Sequence, residues 1–176
     1  MRETTQDDAA SGVRFFEEAG TPVEAGSDRP WLLDGDGAWL VRAGQVDVFA
    51  VRLGAGGEPA GSRSHLFRVE AGRTLFGLGP TPAGRSHALL AVGTSGTRLL
   101  ALPQPALRAL ASRPEDAADL FALVDGWVEA LCAGVVARDV APQRCAELDP
   151  GAEVRLDASA VVRPSRSVSW VRHVEG

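Results

Sequence analysis

The chain has 176 residues, 45% of them hydrophobic and 23% charged, with a formal net charge of −5. That length suits one ordinary domain, or one domain plus a piece of a second, with enough apolar residues to bury a core. The negative balance and the singly scattered arginines argue against nucleic-acid binding, and no apolar run approaches the roughly 20 residues of a spanning helix.

The start, MRETTQDDAASG, is polar and acidic and lacks the basic and apolar stretches of a secretory signal. The expected location is therefore the cytoplasm. Residues 7–19 predict a short amphipathic helix with Gly20 as its stop. From residue 21 short β-type runs take over: TPVEAG, PWLL, a DGDG turn at 34–37, then AWLVRAGQVDVFAVRL, where Gly44 marks a bulge or tight turn. Along this run Trp39 and Val41 fall on one face, Leu40 and Arg42 on the other. A Gly/Pro/Ser loop is expected at 54–64. HLFRVEAG then resumes the alternation and puts His65, Phe67 and Val69 on one side; RTLFGLGP, HALLAV and TRLLAL follow, the last two joined by GTSG at 93–96. Short strands with turn signals every eight to twelve residues predict a sandwich, barrel or β-roll.

At Pro103 the period becomes helical. One helix is expected over about Pro105 to Ser112, and Pro114 opens a second with Glu115, Asp116 and Asp119 near its start, favourable for the helix dipole. In it Leu120, Leu123, Val124, Trp127, Val128, Leu131 and Val135 recur at steps of three and four, forming an apolar face that must cover the β-core or pair with another subunit. Residues 138–150 read as a linker, after which β-type runs return. The last part echoes the first: set at a constant step, Val23 meets Val154 and Trp39 meets Trp170, as in an incomplete repeat. The expected division is an N-terminal arm over 1–19, a β-roll with helices over 20–138, and a linker with a second β-element over 139–176.

All 18 basic residues are arginine, and lysine, asparagine, isoleucine and tyrosine are absent, as a GC-rich bacterial genome would give. Without lysine there is no Walker A loop, and no catalytic role is expected. His65, His87 and His173 lie far apart and lack the paired HxH of a cupin metal site, so neither a metal nor a cofactor is expected. GTSGT lacks the second glycine of a nucleophile elbow, and DGDG lacks the later ligands of a calcium loop, so both read as turns. Two cysteines are too few for a disulfide framework; Cys132 reads as a small core residue. FGLGPTPAGRSHALLAV could present glycine amides and an arginine to a phosphate.

The order of pieces resembles the cyclic-nucleotide-binding domain family. Phe76, Gly77, Arg85 and Ser86 match its phosphate-binding turn, whereas Leu78 stands where that turn has a glutamate for the ribose, and Pro80 and Pro82 interrupt its short helix. This resemblance implies a mainly β, cyclic-nucleotide-binding-like (cupin-like) roll with C-terminal helices and a trailing β-segment. It gives Gly77, Arg85 and Ser86 as contacts for a small anionic ligand. A second resemblance covers most of the chain: AWLVRAGQVDVFAVRL, GSRSHLFRVEAGRTLFGLG, DGWVEAL and SWVRHVEG are similar to the soluble N-terminal region of the ATP-binding subunits of NHLM-type bacteriocin exporters. That resemblance implies a non-catalytic regulatory or docking domain of an ABC exporter of ribosomally made, modified peptides. Its partners would be transporter subunits or its own homodimer, met through a helix face of Leu123, Trp127 and Leu131. The alternatives are a small-ligand, cyclic-nucleotide-like sensor and a cupin-like metal enzyme.

Overall fold

The computed structural model describes residues 13–79, 86–136, 145–149, 151–156, 161–164, 168–172 and 174. Residues 13–19 are helical (α1), and the amide of Gly20 closes that helix on the carbonyl of Phe16 at 2.8 Å. Eight strands follow: β1 (Thr21–Ala25), β2 (Trp31–Leu32), β3 (Ala38–Ala43), β4 (Gln45–Leu53), β5 (Pro59–Glu70), β6 (Thr74–Phe76), β7 (His87–Gly93) and β8 (Thr97–Leu102). Two helices, α2 (Gln104–Ala111) and α3 (Pro114–Val136), come next.

The strands form two four-stranded antiparallel sheets, ordered β1-β8-β3-β6 and β2-β7-β4-β5. Each strand with alternating burial gives one face to the space between the sheets. Val41, Val46, Val48, Val69, Leu75, Ala91 and Leu99 fill that interior, and the rings of Trp31 and Trp39 pack against them. The opposite face of the first sheet carries Ala38, Leu40, Leu100 and Leu102, covered by Phe15 and Phe16 of α1, by α2, and by Leu123 of α3. Burying side chains of this size is worth about 1.5–3 kcal/mol each, so the helices are part of the fold and not an attachment to it.

Gly44 takes the turn expected of it. Its φ is +82°, and a Cβ there would lie 2.5 Å from Thr97 Oγ1. Thr97 is itself buried, donating to the Gln45 carbonyl at 2.9 Å and accepting from the Gln45 amide at 3.2 Å. The loop expected over 54–64 is shorter, because residues from Pro59 onward pair with β4; β5 is an edge strand, where a proline and glycines cost little. His65 does not share a face with Phe67 and Val69. The register shifts between Val48 and Phe49, so Leu66 is an extra residue in β5, and a bulge reverses the parity beyond it. Cys132 is exposed and not in the core.

Within the expected linker, Cys145–Leu148 forms β9, which pairs in parallel with β10 (Val161–Pro164) apart from both larger sheets. Residues 168–172 adopt no strand. Trp170 is instead 72% exposed and donates its indole N–H to Asp125 of α3 at 2.9 Å, so the echo of the Trp39 strand has no structural counterpart there. Among the described residues no helix is long and apolar enough to cross a membrane.

Candidate functional site

The turn after β6 is built around Gly77. A Cβ on this residue would sit 1.8 Å from the carbonyl oxygen of Gly35, so only glycine permits the approach. Its amide donates to Gly37 at 2.8 Å, that of Leu78 to Leu33 at 2.8 Å, and that of Gly79 to Gly35 at 3.3 Å. The DGDG loop therefore holds the first part of the turn, and these three amides are engaged within the protein. At its far end the Ser86 carbonyl accepts from the Leu53 amide at 2.9 Å, and the Ser86 hydroxyl lies 2.9 Å from His87 Nδ1. Arg85 lies outside the described residues. Leu78 is exposed.

Helix α3 carries two apolar stripes, not one. The first faces the roll: Leu123 is 8% and Trp127 4% exposed, and the Trp127 ring meets Phe67 edge to face with centroids 5.4 Å apart. Farther along, a Cβ on Gly134 would be 2.8 Å from Phe67 Cδ1, so the helix backbone approaches β5 closely. Leu123 and Trp127 are thus core residues and cannot meet a partner. The physical reason is that a broad apolar face cannot all point one way. Only its inner edge reaches the sheets, and Leu131 remains half-buried at the border. The second stripe is Ala117, Phe121, Val124, Val128, Leu131 and Val135, spaced four and three alternately; of these, Val128 also touches the inter-sheet cluster. Phe121 is 58% and Val135 45% exposed.

Sheet order and side-chain placement also assemble groups that the sequence did not single out. On the outer face of β4 and β5, Arg68 grips Asp47 with two hydrogen bonds of 2.8 and 3.0 Å, and His65 Nε2 lies 3.1 Å from the same carboxylate. The Arg68 hydrogen bonds hold the Asp47 carboxyl below its usual pKa against the opposing effect of desolvation, and His65 adds to the lowering. The Arg68 guanidinium is correspondingly shifted up. A cross-strand Asp–Arg pairing was legible in principle once the register was known, but the bulge at Leu66 is what turns His65 toward it. Among the described residues no group of His, Cys, Asp and Glu has the arrangement of a metal site.

No protein-family model matches the chain, and no curated protein matches it. Solved structures do. An OCPA-complexed CprK variant is 15% identical with a TM-score of 0.53, covering 74% of this chain and 60% of that one. Reduced CprK without ligand is 16% identical, with a TM-score of 0.52 over 74% and 60%. Unbound oxidised CprK is 17% identical, with a TM-score of 0.50 over 73% and 58%. The fold is a cyclic-nucleotide-binding-like β-roll. This chain spans about 60% of the length of the CprK chains it matches. In this roll residues 77–86 join β6 to β7, and α3 is the long helix that follows β8 and α2.

Proposed function

We propose that this chain is a non-catalytic regulatory module that senses a small ligand and pairs with a second copy of itself through the outer stripe of α3. The observation that carries the reading is the pairing of two roles on one helix. Trp127 and Leu123 fasten α3 to both apolar clusters of the roll, while Ala117, Phe121, Val124, Val128, Leu131 and Val135 repeat at the 3.5-residue spacing of a coiled-coil seam. A change inside the roll then reaches the seam through a single rigid element.

The anion contact belongs to the Gly77–Ser86 turn, with the Arg85 guanidinium and Ser86 hydroxyl as donors, since the amides of residues 77–79 are already used. That CprK is seen in complex with OCPA supports a small-ligand role for a roll of this kind. The larger partner in this reading is a subunit of an NHLM-type peptide exporter, supported by the likeness of AWLVRAGQVDVFAVRL, DGWVEAL and SWVRHVEG to that group.

Sedimentation velocity over a range of protein concentrations tests the pairing. Dimers are expected for the native chain, and monomers with unchanged circular dichroism for Phe121→Glu and Val135→Glu, the two most exposed residues of the stripe. A native chain that stays monomeric throughout would remove the reading's support. Calorimetry with cyclic nucleotides tests the turn, with binding weakened by Arg85→Ala as the expected result. Co-purification with exporter subunits tests the larger partner.

A further inference from the structure

Residues 168–172 follow β10 and join no sheet. Val168 and Ser169 are nevertheless half-buried, and the indole N–H of Trp170 donates to Asp125 of α3 at 2.9 Å. Trp170 and Val171 otherwise stand in solvent, at 72% and 74% exposure. A tryptophan fixed at one atom and bare elsewhere still has its ring to bury.

Asp125 marks where on the helix this segment sits. It comes two residues before Trp127 and so lies on nearly the opposite side of α3 from the roll. On that side Ala122 and Glu129 are exposed, whereas Asp125, with Trp170 against it, is half-buried. Phe121 and Val128 stand four residues before and three after Asp125, which puts them on the same helix face. The hydrogen bond therefore sets an exposed indole beside the exposed Phe121, at the flank of the outer stripe.

Two further features favour closure of the segment onto that stripe. An indole takes roughly 150–250 Å2 out of water when it is buried, and the stripe offers apolar side chains within reach of the tether. Charge acts in the same direction. Helix α3 carries Glu115, Asp116, Asp119, Asp125 and Glu129 and no basic residue. A second α3 laid along the stripe brings like charges together, whereas the segment VSWVR brings Arg172.

We propose that residues 168–172 form a strap over the outer stripe of α3 in their own copy. Trp170, tethered through Asp125, closes onto Phe121 and Val128, and a second copy has to displace it in order to pair. The strap thereby sets the concentration at which copies associate. This competition rests on the pairing reading above, whereas the strap itself does not.

Two measurements on the full-length chain test it. In sedimentation velocity, Trp170→Ala, at an exposed position where folding is not at stake, should lower the concentration of half-dimerisation by about tenfold. The second uses a fluorescein-labelled peptide, SVSWVRHVEG, titrated with the Trp170→Ala chain up to about millimolar, the effective concentration of a tethered segment. Fluorescence anisotropy should show saturable binding, lost when Phe121→Glu is added to the chain or when the peptide's tryptophan is replaced by alanine. A peptide that fails to bind, or that binds the Phe121→Glu chain equally well, overturns the strap whatever the state of association. In chains that do pair, a Trp170→Ala variant that pairs no more tightly than the native chain overturns the competition. Chains that stay monomeric in every variant while the peptide binds as expected would end the pairing reading and leave the strap in place.

Discussion

Trp127 of α3 meets Phe67 of β5 edge to face, with ring centroids 5.4 Å apart and planes inclined by 65°. The contact joins the long helix to an edge strand of the second sheet, and Trp127 also belongs to the apolar cluster between the sheets. Removing it leaves a cavity at the point where helix and roll are fastened. Trp127→Ala should cost about 3–5 kcal/mol of stability, measured by urea unfolding. A double-mutant cycle with Phe67→Leu should return a coupling of roughly 0.5–1.5 kcal/mol for the ring pair. A coupling near zero would mean that the two rings only share a cavity.

Gly77 offers a sharper steric test. Its missing Cβ is replaced by the Gly35 carbonyl oxygen, which is backbone and cannot swing aside. Gly77→Ala is expected to destabilise by at least about 1–3 kcal/mol, the range for forced overpacking, and to slacken the DGDG loop. Accelerated hydrogen exchange at the amides of Gly77 and Leu78 would report that slackening. Exchange as slow as in the native chain would show that the loop accommodates a methyl.

Thr97 joins the turn at Gly44 to the β7–β8 hairpin through both backbone groups of Gln45. Thr97→Val keeps the shape but removes the acceptor of the Gln45 amide in a buried setting, while the Gln45 carbonyl keeps the Thr94 amide at 2.9 Å. The expected cost is about 1–3 kcal/mol, read from the midpoint of chemical unfolding at unchanged slope. Thr97→Ser should recover most of it, since the hydroxyl is what the turn requires.

The Asp47 carboxyl predicts an acid-sensitive contribution to stability. Its pKa in the folded chain lies below the ordinary value of 3.8, chiefly through the Arg68 hydrogen bonds. A depressed folded pKa means that the unfolded chain binds its proton first as pH falls. The contribution is therefore complete above the ordinary carboxylate value and fades as pH drops through it toward the lower folded value. Native protein should lose stability more steeply than Asp47→Asn below about pH 4, with the two curves parallel at neutral pH. Parallel curves throughout would show that the ion pair adds nothing. Added salt should shrink the difference, since Arg68 and His65 are half exposed.

The pattern of glycine turns and alternating strands made the roll legible, because backbone conformation is set locally: Gly44 could be placed at its turn from AWLVRAGQVDV alone. The helices were legible for the same reason, from Pro103, Pro114 and the steps of three and four after them. Side-chain parity was less secure. One extra residue at Leu66 turned His65 to the outer face, and bulges of this kind leave no local mark in a run such as HLFRVEAG.

By itself the sequence determined the order of strands and helices, the need for glycine in the turns, and the apolar breadth of α3, all consequences of short-range sterics and periodicity. The tertiary structure decided which stripe of α3 lies inward, since Leu123 and Trp127 are buried only because the sheets meet that side. It also decided that the amides of Gly77, Leu78 and Gly79 are spent on carbonyls some forty residues earlier in the chain, and that β1 and β2 join different sheets while the rings of Trp31 and Trp39 meet. Those outcomes depend on contacts between segments distant in sequence, and no local pattern encodes which partner a free amide or an apolar stripe will find.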